Sequence, residues 1–236
     1  MAVAIVTGAS SGIGLEICSM LLSQSYIVYG IARTFHNCNI TNNHFVKTIC
    51  DLSDLKSVEI TAKQITEKEN RIDLLVNNAG IGCFGPHETL KIKEIAEMVS
   101  INLLAPMVLS KLLIKPLAET KGVIVNISSS AALNTHKMGC AYAATKAGLL
   151  HFGECLFEEV RKSGIKICTI CPDITSGTRF YDKSFFSYDE SLHCHIEPSC
   201  ISNAISSVLQ QREGSVQTMI VIKPQKISIS RKNKPI

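Results

Sequence analysis

A chain of 236 residues with 46% hydrophobic and 19% charged content can bury a full core, and this length suits one domain spanning 1–236 rather than two. The net charge of +4 rests on the last stretch, where Lys223, Lys226, Arg231, Lys232 and Lys234 stand without an acid. The body is therefore near neutral and lacks the basic face of a nucleic-acid binder, and no polar tract points to extended disorder.

In chain order, short β-branched runs alternate with longer amphipathic stretches. Strands are predicted at Val3–Thr7, Tyr26–Ile31, His44–Cys50, Ile72–Asn77, Val123–Ile127, Ile165–Ile170 and Gln217–Ile222. Helices are predicted at Ile13–Ser23, Asp54–Glu67, Ile92–Glu119, Ala141–Lys162 and Pro198–Gln211. Strands separated by helix-length segments pair in parallel through right-handed crossovers. The expected fold is α/β, a single-domain doubly wound parallel sheet with helices on both faces.

One segment breaks this rhythm. Residues 173–197 carry Phe180, Tyr181, Phe185, Phe186 and Tyr188 among Ser and Asp, which reads as a substrate loop or lid and suggests an apolar or aromatic substrate. An ordinary surface excursion is the alternative. The basic end, 227–236, is expected to be a solvated, frayed terminus.

Met1–Gly8 reads as a strand running into a glycine loop, without the charged region or cleavage site of a signal peptide. No apolar run is expected to reach the length of a membrane span. The ten cysteines are accordingly expected to be reduced, in the cytoplasm. Cys168 and Cys171 lie at an odd separation on a strand, hence on opposite faces, and are not expected to share a metal. His193-Cys194-His195 has no second ligand cluster, so no metal site is expected there either.

The first strand opens into a loop holding Gly8, Gly12 and Gly14. Glycines let backbone approach a pyrophosphate, and the following helix offers free N–H groups to its charge. The second strand decides between nicotinamide cofactors. An acid at its end would accept hydrogen bonds from ribose hydroxyls, but Ala32 stands there with Arg33 and Thr34 beside it. A guanidinium favours a 2′-phosphate, so NADP(H) is expected over NAD(H).

The fifth strand ends in Ser128-Ser129-Ser130, and thirteen residues after Ser129 comes Tyr142 with Lys146 one helical turn beyond. A phenol is a weak base at neutral pH, and a neighbouring ammonium is expected to lower its pKa, while Ser129 would hold a carbonyl oxygen. Pro106 stands four residues after Asn102 within a helical stretch. Having no N–H, it deprives the Asn102 carbonyl of its helical partner, which either frees that oxygen for a water or marks a structural kink. Cys140 and His136 are candidates to border the substrate pocket; buried packing is the alternative for the cysteine, and a loop histidine needs no function.

Thr7–Gly14 (T-G-x-x-x-G-x-G), Asn77-Asn-Ala-Gly80, Ser129 and Tyr142-x-x-x-Lys146 together resemble the short-chain dehydrogenase/reductase family, from Val3 to about Pro172. The resemblance implies that Ser129, Tyr142, Lys146 and Asn102 are catalytic, with Tyr142 as acid/base and the Asn102 backbone oxygen holding a water in a relay to Lys146. It implies cofactor contacts from Gly8, Ser10, Ser11, Gly12, Ile13 and Gly14, from Arg33 and Thr34, and from Asp51 and Leu52. Asn78, Ala79, Gly80, Tyr142, Lys146, Pro172 and Ile174 complete that set.

The chain departs from the family where Pro172 is followed by Asp173 instead of Gly. The threonine expected five residues after the proline is Gly177, with Thr178 one step later. The reading is an oxidoreductase that moves a hydride between NADP(H) and a small-molecule carbonyl or alcohol, with no membrane or nucleic-acid partner. Pairing through the helices at 92–119 and 141–162, as homodimer or homotetramer, is implied by resemblance. An NAD-linked dehydrogenase and a non-catalytic NADP(H) sensor or scaffold remain as alternatives.

Overall fold

The computed structural model describes residues 1–36, 38–178, 180 and 186–231. Tyr181, Phe185, Lys232 and Lys234, singled out above, lie outside the described residues. Parallel strands form one sheet in the order β3-β2-β1-β4-β5-β6-β8. Their ranges are β1 Val3–Thr7, β2 Ile27–Ala32, β3 Phe45–Ile49, β4 Leu74–Asn77, β5 Val123–Ile127, β6 Lys166–Pro172 and β8 Met219–Ile222. The connecting helices are α1 Gly12–Ser23, α2 Leu55–Lys68, α3 Ile92–Val99, α4 Ala105–Thr120, α5 Cys140–Val160 and α6 Pro198–Leu209. This is the doubly wound sheet expected from the strand–helix alternation.

Every residue of β1 and of β5 is buried, as strands must be when helices cover both faces. Alternate residues feed two cores. Ile5, Leu75, Ile124 and Ile167 pack with Leu109, Leu113 and Leu156 on the side of α2, α4 and α5. Val6, Val76, Val125 and Cys168 pack with Ile17, Leu21, Ile201 and Ile205 of α1 and α6. Cys168 thus lies on the α1/α6 side, whereas Cys171, an odd step on, interacts with Ser128 and Lys146 on the other.

The chain reverses its winding between β1 and β4, so a crevice opens beyond their C-terminal ends. Gly8 and Gly14 shape its floor. Gly8 has φ +69°, and a Cβ on Gly14 would lie 2.2 Å from the Gly8 carbonyl oxygen. The Thr7 hydroxyl accepts from the Asn78 and Ala79 N–H groups at 3.0 Å each, which ties the β4 exit to the glycine loop.

The stretch expected as one helix over Ile92–Glu119 is interrupted. Ser100–Leu104 forms a π turn in which the Ala105 N–H reaches back to the Ser100 carbonyl. Pro106 cannot donate four residues back to Asn102, and the ladder shifts register there. By length and composition, Ile92–Thr120 is also apolar enough to cross a membrane, which corrects the reading that no run qualifies. In this fold it is a core element: Met98, Ile101, Ala105, Leu109, Leu113 and Leu117 are buried.

The start of the C-terminal segment is a second correction. Within the end expected to fray, β9 Ile229–Arg231 pairs antiparallel with β7 Phe186–Tyr188, Phe186 opposite Arg231 and Tyr188 opposite Ile229, and residues 232–236 lie outside the described residues. The Lys226 N–H donates to the His193 carbonyl and Asp189 N–H to Ser228, so the tail is stitched to the aromatic loop. This pairing joins segments far apart in sequence, and no local pattern announces it.

Candidate active site

A cleft of about 750 Å³ runs along the C-terminal edge of the sheet from the glycine loop to Tyr142. Of the residues marked out in the sequence, Gly8, Ser10, Ser11, Gly12, Ile13 and Gly14 line one end. Arg33, Asp51, Leu52, Asn78, Ala79 and Gly80 line the middle, and Ser129, Tyr142, Lys146 and Pro172 the other end. Two do not line it. Thr34 lies past the end of β2 and is exposed to solvent. Ile174 is buried, its N–H held by the Asp173 carboxylate and its carbonyl accepting from Ile196.

At the nucleotide end, Gly8 and Gly12 both have positive φ, and the backbone rises where a side chain would fill the space. Arg33 is exposed and stands 4.0 Å from Glu97 of α3. The Asp51 carboxylate accepts from the Ser53 N–H and hydroxyl, and these bonds together with the Arg33 charge hold its pKa below the usual carboxylate value. Across the cleft, Thr178 packs its methyl against the Gly12 position. The left-handed turn at Gly177, φ +64°, precedes it, so the threonine displaced by one residue still faces the glycine loop. Asp173 also lines the cleft rather than turning away from it.

At the far end four residues distant in sequence converge. The Ser129 side chain stands beside the Tyr142 phenol, where its hydrogen-bonding pull favours the phenolate. The Lys146 Nζ lies 6.0 Å from the Tyr142 ring centre and donates to the Ile127 carbonyl at 2.8 Å, while the Ser128 hydroxyl donates to the Lys146 carbonyl at 2.8 Å. Asn102 is wholly buried. Its amide Oδ1 accepts from Ile81 N–H at 2.8 Å, and its Nδ2 donates to the Ile81 carbonyl at 2.9 Å and to Thr145 Oγ1 at 3.0 Å. A Cβ on Gly80 would lie within 3.4 Å of both Lys146 Nζ and Asn102 Oδ1, so that glycine keeps the strand exit close to both.

Burial sets the protonation states. It pushes the Tyr142 phenol up to about 12, against the lowering pull of the Ser129 hydrogen bond. It brings Lys146 down to about 8. The ammonium was expected to lower the phenol's pKa, but here desolvation dominates and the lowering influence comes from Ser129. Lys146 is spent on the Ile127 carbonyl and is itself buried.

Several contributors escaped the sequence reading. Thr7 was part of a motif, but its hydroxyl's hold on Asn78 and Ala79 was not assigned. Ile81, Thr145 and Ser128 gave no signal, because their parts are played by backbone atoms or by a common hydroxyl. Phe84, whose ring lies 5.3 Å from Tyr142, stands in a Gly-Cys-Phe-Gly segment that carried no motif.

Residues 2–186 match the family model described as short chain dehydrogenase. The chain is 30% identical over 233 residues to the probable short-chain type dehydrogenase/reductase VdlC of Helicobacter pylori, covering 95% of this chain and 85% of that protein. A metagenomic short-chain oxidoreductase in complex with NADP superposes with a TM-score of 0.80 at 29% identity, covering 94% of this chain and 96% of the other. A 4-hydroxyisoleucine dehydrogenase complexed with NADH gives 0.80 at 25% identity, covering 95% and 97%. With a glycine cradle at one end of its cleft and a Ser–Tyr–Lys group at the other, the chain belongs to the short-chain dehydrogenase/reductase family of oxidoreductases.

Proposed function

We propose that this oxidoreductase is an NADP(H)-dependent carbonyl reductase in which Tyr142 is the proton donor. The observation that carries the reading is the grouping of Ser129, Tyr142 and Lys146 at one end of a cleft whose other end is the Gly8–Gly14 cradle. When bound, the reduced nicotinamide supplies the hydride. Ser129 holds the carbonyl oxygen, and the Tyr142 hydroxyl gives that oxygen its proton, so C=O becomes CH–OH. A phenol held at about 12 keeps its proton through the physiological range, which suits an acid in reduction better than a base in oxidation.

Lys146 is a cation below about 8 and neutral above it. The reductive kcat/KM is therefore expected to be flat at neutral pH and to fall as pH rises past that point, as Lys146 loses its charge. Alcohol oxidation, which needs Tyr142 deprotonated, should instead gain with rising pH. Initial rates in both directions across a pH series check the pair of slopes, and a reductive rate that climbs above pH 8 would remove Lys146 from this role.

Arg33 supports NADP(H) over NAD(H). It lines the cleft at the end of β2, where Ala32 leaves no acid to bind a free ribose hydroxyl. Its side chain is 64% exposed and can leave Glu97 for a phosphate. Arg33→Ala should weaken NADPH binding about 10- to 100-fold, as expected for losing a charged hydrogen-bonding partner, and leave NADH much less affected. Fluorescence titration with both nucleotides measures this, and equal losses would favour the NAD-linked alternative.

The non-catalytic sensor has less support, because the tyrosine and lysine that turnover needs are both in place. A cysteine-rich chain suits a reducing cytoplasm, and pairing of subunits through α4 and α5 is the expected assembly.

A further inference from the structure

The substrate end of the cleft is built from rings. Phe84 lies 5.3 Å from Tyr142, 5.9 Å from Phe180 and 5.6 Å from Phe186, the last two at interplanar angles of 73° and 75°. Phe180 closes the group at 5.4 Å from Tyr142. Gly82 makes room for it: a Cβ there would come within 2.7 Å of both the Phe84 and Phe180 rings. Phe186 is buried behind Phe84 and is held by the β7–β9 pairing, so the C-terminal strand buttresses this wall.

Ile81, Cys83, Leu90 and Met98 also pack around Tyr142. Among the described residues these rings and aliphatic chains carry no charge, and His136, its ring 5.8 Å from Phe84, stands at the edge of the group. Tyr142 is only 6% exposed. A carbonyl that reaches its hydroxyl must part it from Phe84 or Phe180, giving up ring contacts that a flat aryl group restores by face and edge. A saturated ring fills the space without the quadrupole, and a small polar ketone does neither.

We propose that the substrate is an aryl ketone or aldehyde whose ring lodges between Phe84 and Phe180 while its oxygen meets Ser129 and Tyr142. Phe84 is then the residue that sets specificity. The proposal rests on the reading of Tyr142 as proton donor, and it assigns the same balanced reaction, carbonyl and NADPH going to alcohol and NADP⁺.

The test compares kcat/KM with NADPH for acetophenone, its saturated counterpart cyclohexyl methyl ketone, and hydroxyacetone. The enzymes are the wild type, Phe84→Leu and Phe180→Leu, with NADPH titration and circular dichroism showing which variants fold. Acetophenone should lead cyclohexyl methyl ketone by about tenfold, and the ratio should fall toward one in either folded variant. A wild-type ratio near one, a preference for hydroxyacetone, or a ratio unchanged in the variants would overturn the proposal. If NADPH binds but no ketone turns over, the reductase reading fails. Calorimetry of acetophenone on the enzyme–NADP⁺ complex then decides the ring site alone. Binding weakened by Phe84→Leu upholds it, and absence of binding overturns it.

Discussion

Tyr142→Phe is expected to lower turnover with NADPH by about 10³-fold while leaving nucleotide affinity within a few-fold of wild type. The substitution removes one oxygen. The ring keeps its contacts with Phe84 and Phe180, and helix α5 keeps its burial, so the fold has little reason to change. What is lost is the hydroxyl beside Ser129 that passes a proton to the carbonyl oxygen in the proposed reaction. Water cannot easily replace it, because the site around the phenol is closed. Parallel measurement of single-turnover rates and NADPH titration separates the two effects. A loss smaller than tenfold would show that another acid serves, and would return weight to the sensor reading if wild-type turnover were itself negligible.

The second large effect is expected at Asn102, for a different reason. Its amide bridges Ile81, at the exit of β4, to Thr145, one turn along α5 from Tyr142, and the Thr145 hydroxyl in turn donates to the Tyr142 carbonyl at 2.7 Å. Asn102→Ala leaves the part-buried Ile81 N–H and carbonyl without this partner. At about 1 kcal/mol or more for each lost bond, the cost is about 3 kcal/mol. In a chain of this size that corresponds to a fall in Tm of about 6–12 °C, measurable by calorimetry. Activity should fall as well, because the same amide keeps β4 and α5 in position around Lys146. A variant with unchanged Tm would mean that the clamp carries no stability, leaving the backbone carbonyl of Asn102 as its sole contribution.

These two positions illustrate unequal legibility. Tyr142 stands out in the sequence as a candidate because a phenol acts through its own side chain and because Lys146 follows one helical turn later. Asn102 was readable only in part. Pro106 marked a disturbed ladder, and the structure shows that disturbance as a π turn over Ser100–Leu104. The side-chain bonds to Ile81 and Thr145 join three segments, and nothing in the spacing of those residues indicates them. Arg33 was legible as a charge at a strand end, but its approach to Glu97 depends on where α3 packs.

The main elements were set by local pattern. β-branched runs separated by helix-length amphipathic stretches admit few arrangements, since parallel crossovers take one hand and both sheet faces must be covered. Hence β1 and β5 begin and end at the expected residues, and the glycine loop follows β1. Other features belong to the folded state alone: the clustering of Phe84, Phe180 and Phe186 on Tyr142, the pairing of β9 with β7, and the direction of the Tyr142 and Lys146 pKa shifts. A residue's periodicity is carried by its neighbours in the chain, whereas desolvation and ring contact depend on segments that meet only after folding. For that reason the reaction class was open to a reading of residues in order, and the shape of the substrate wall was not.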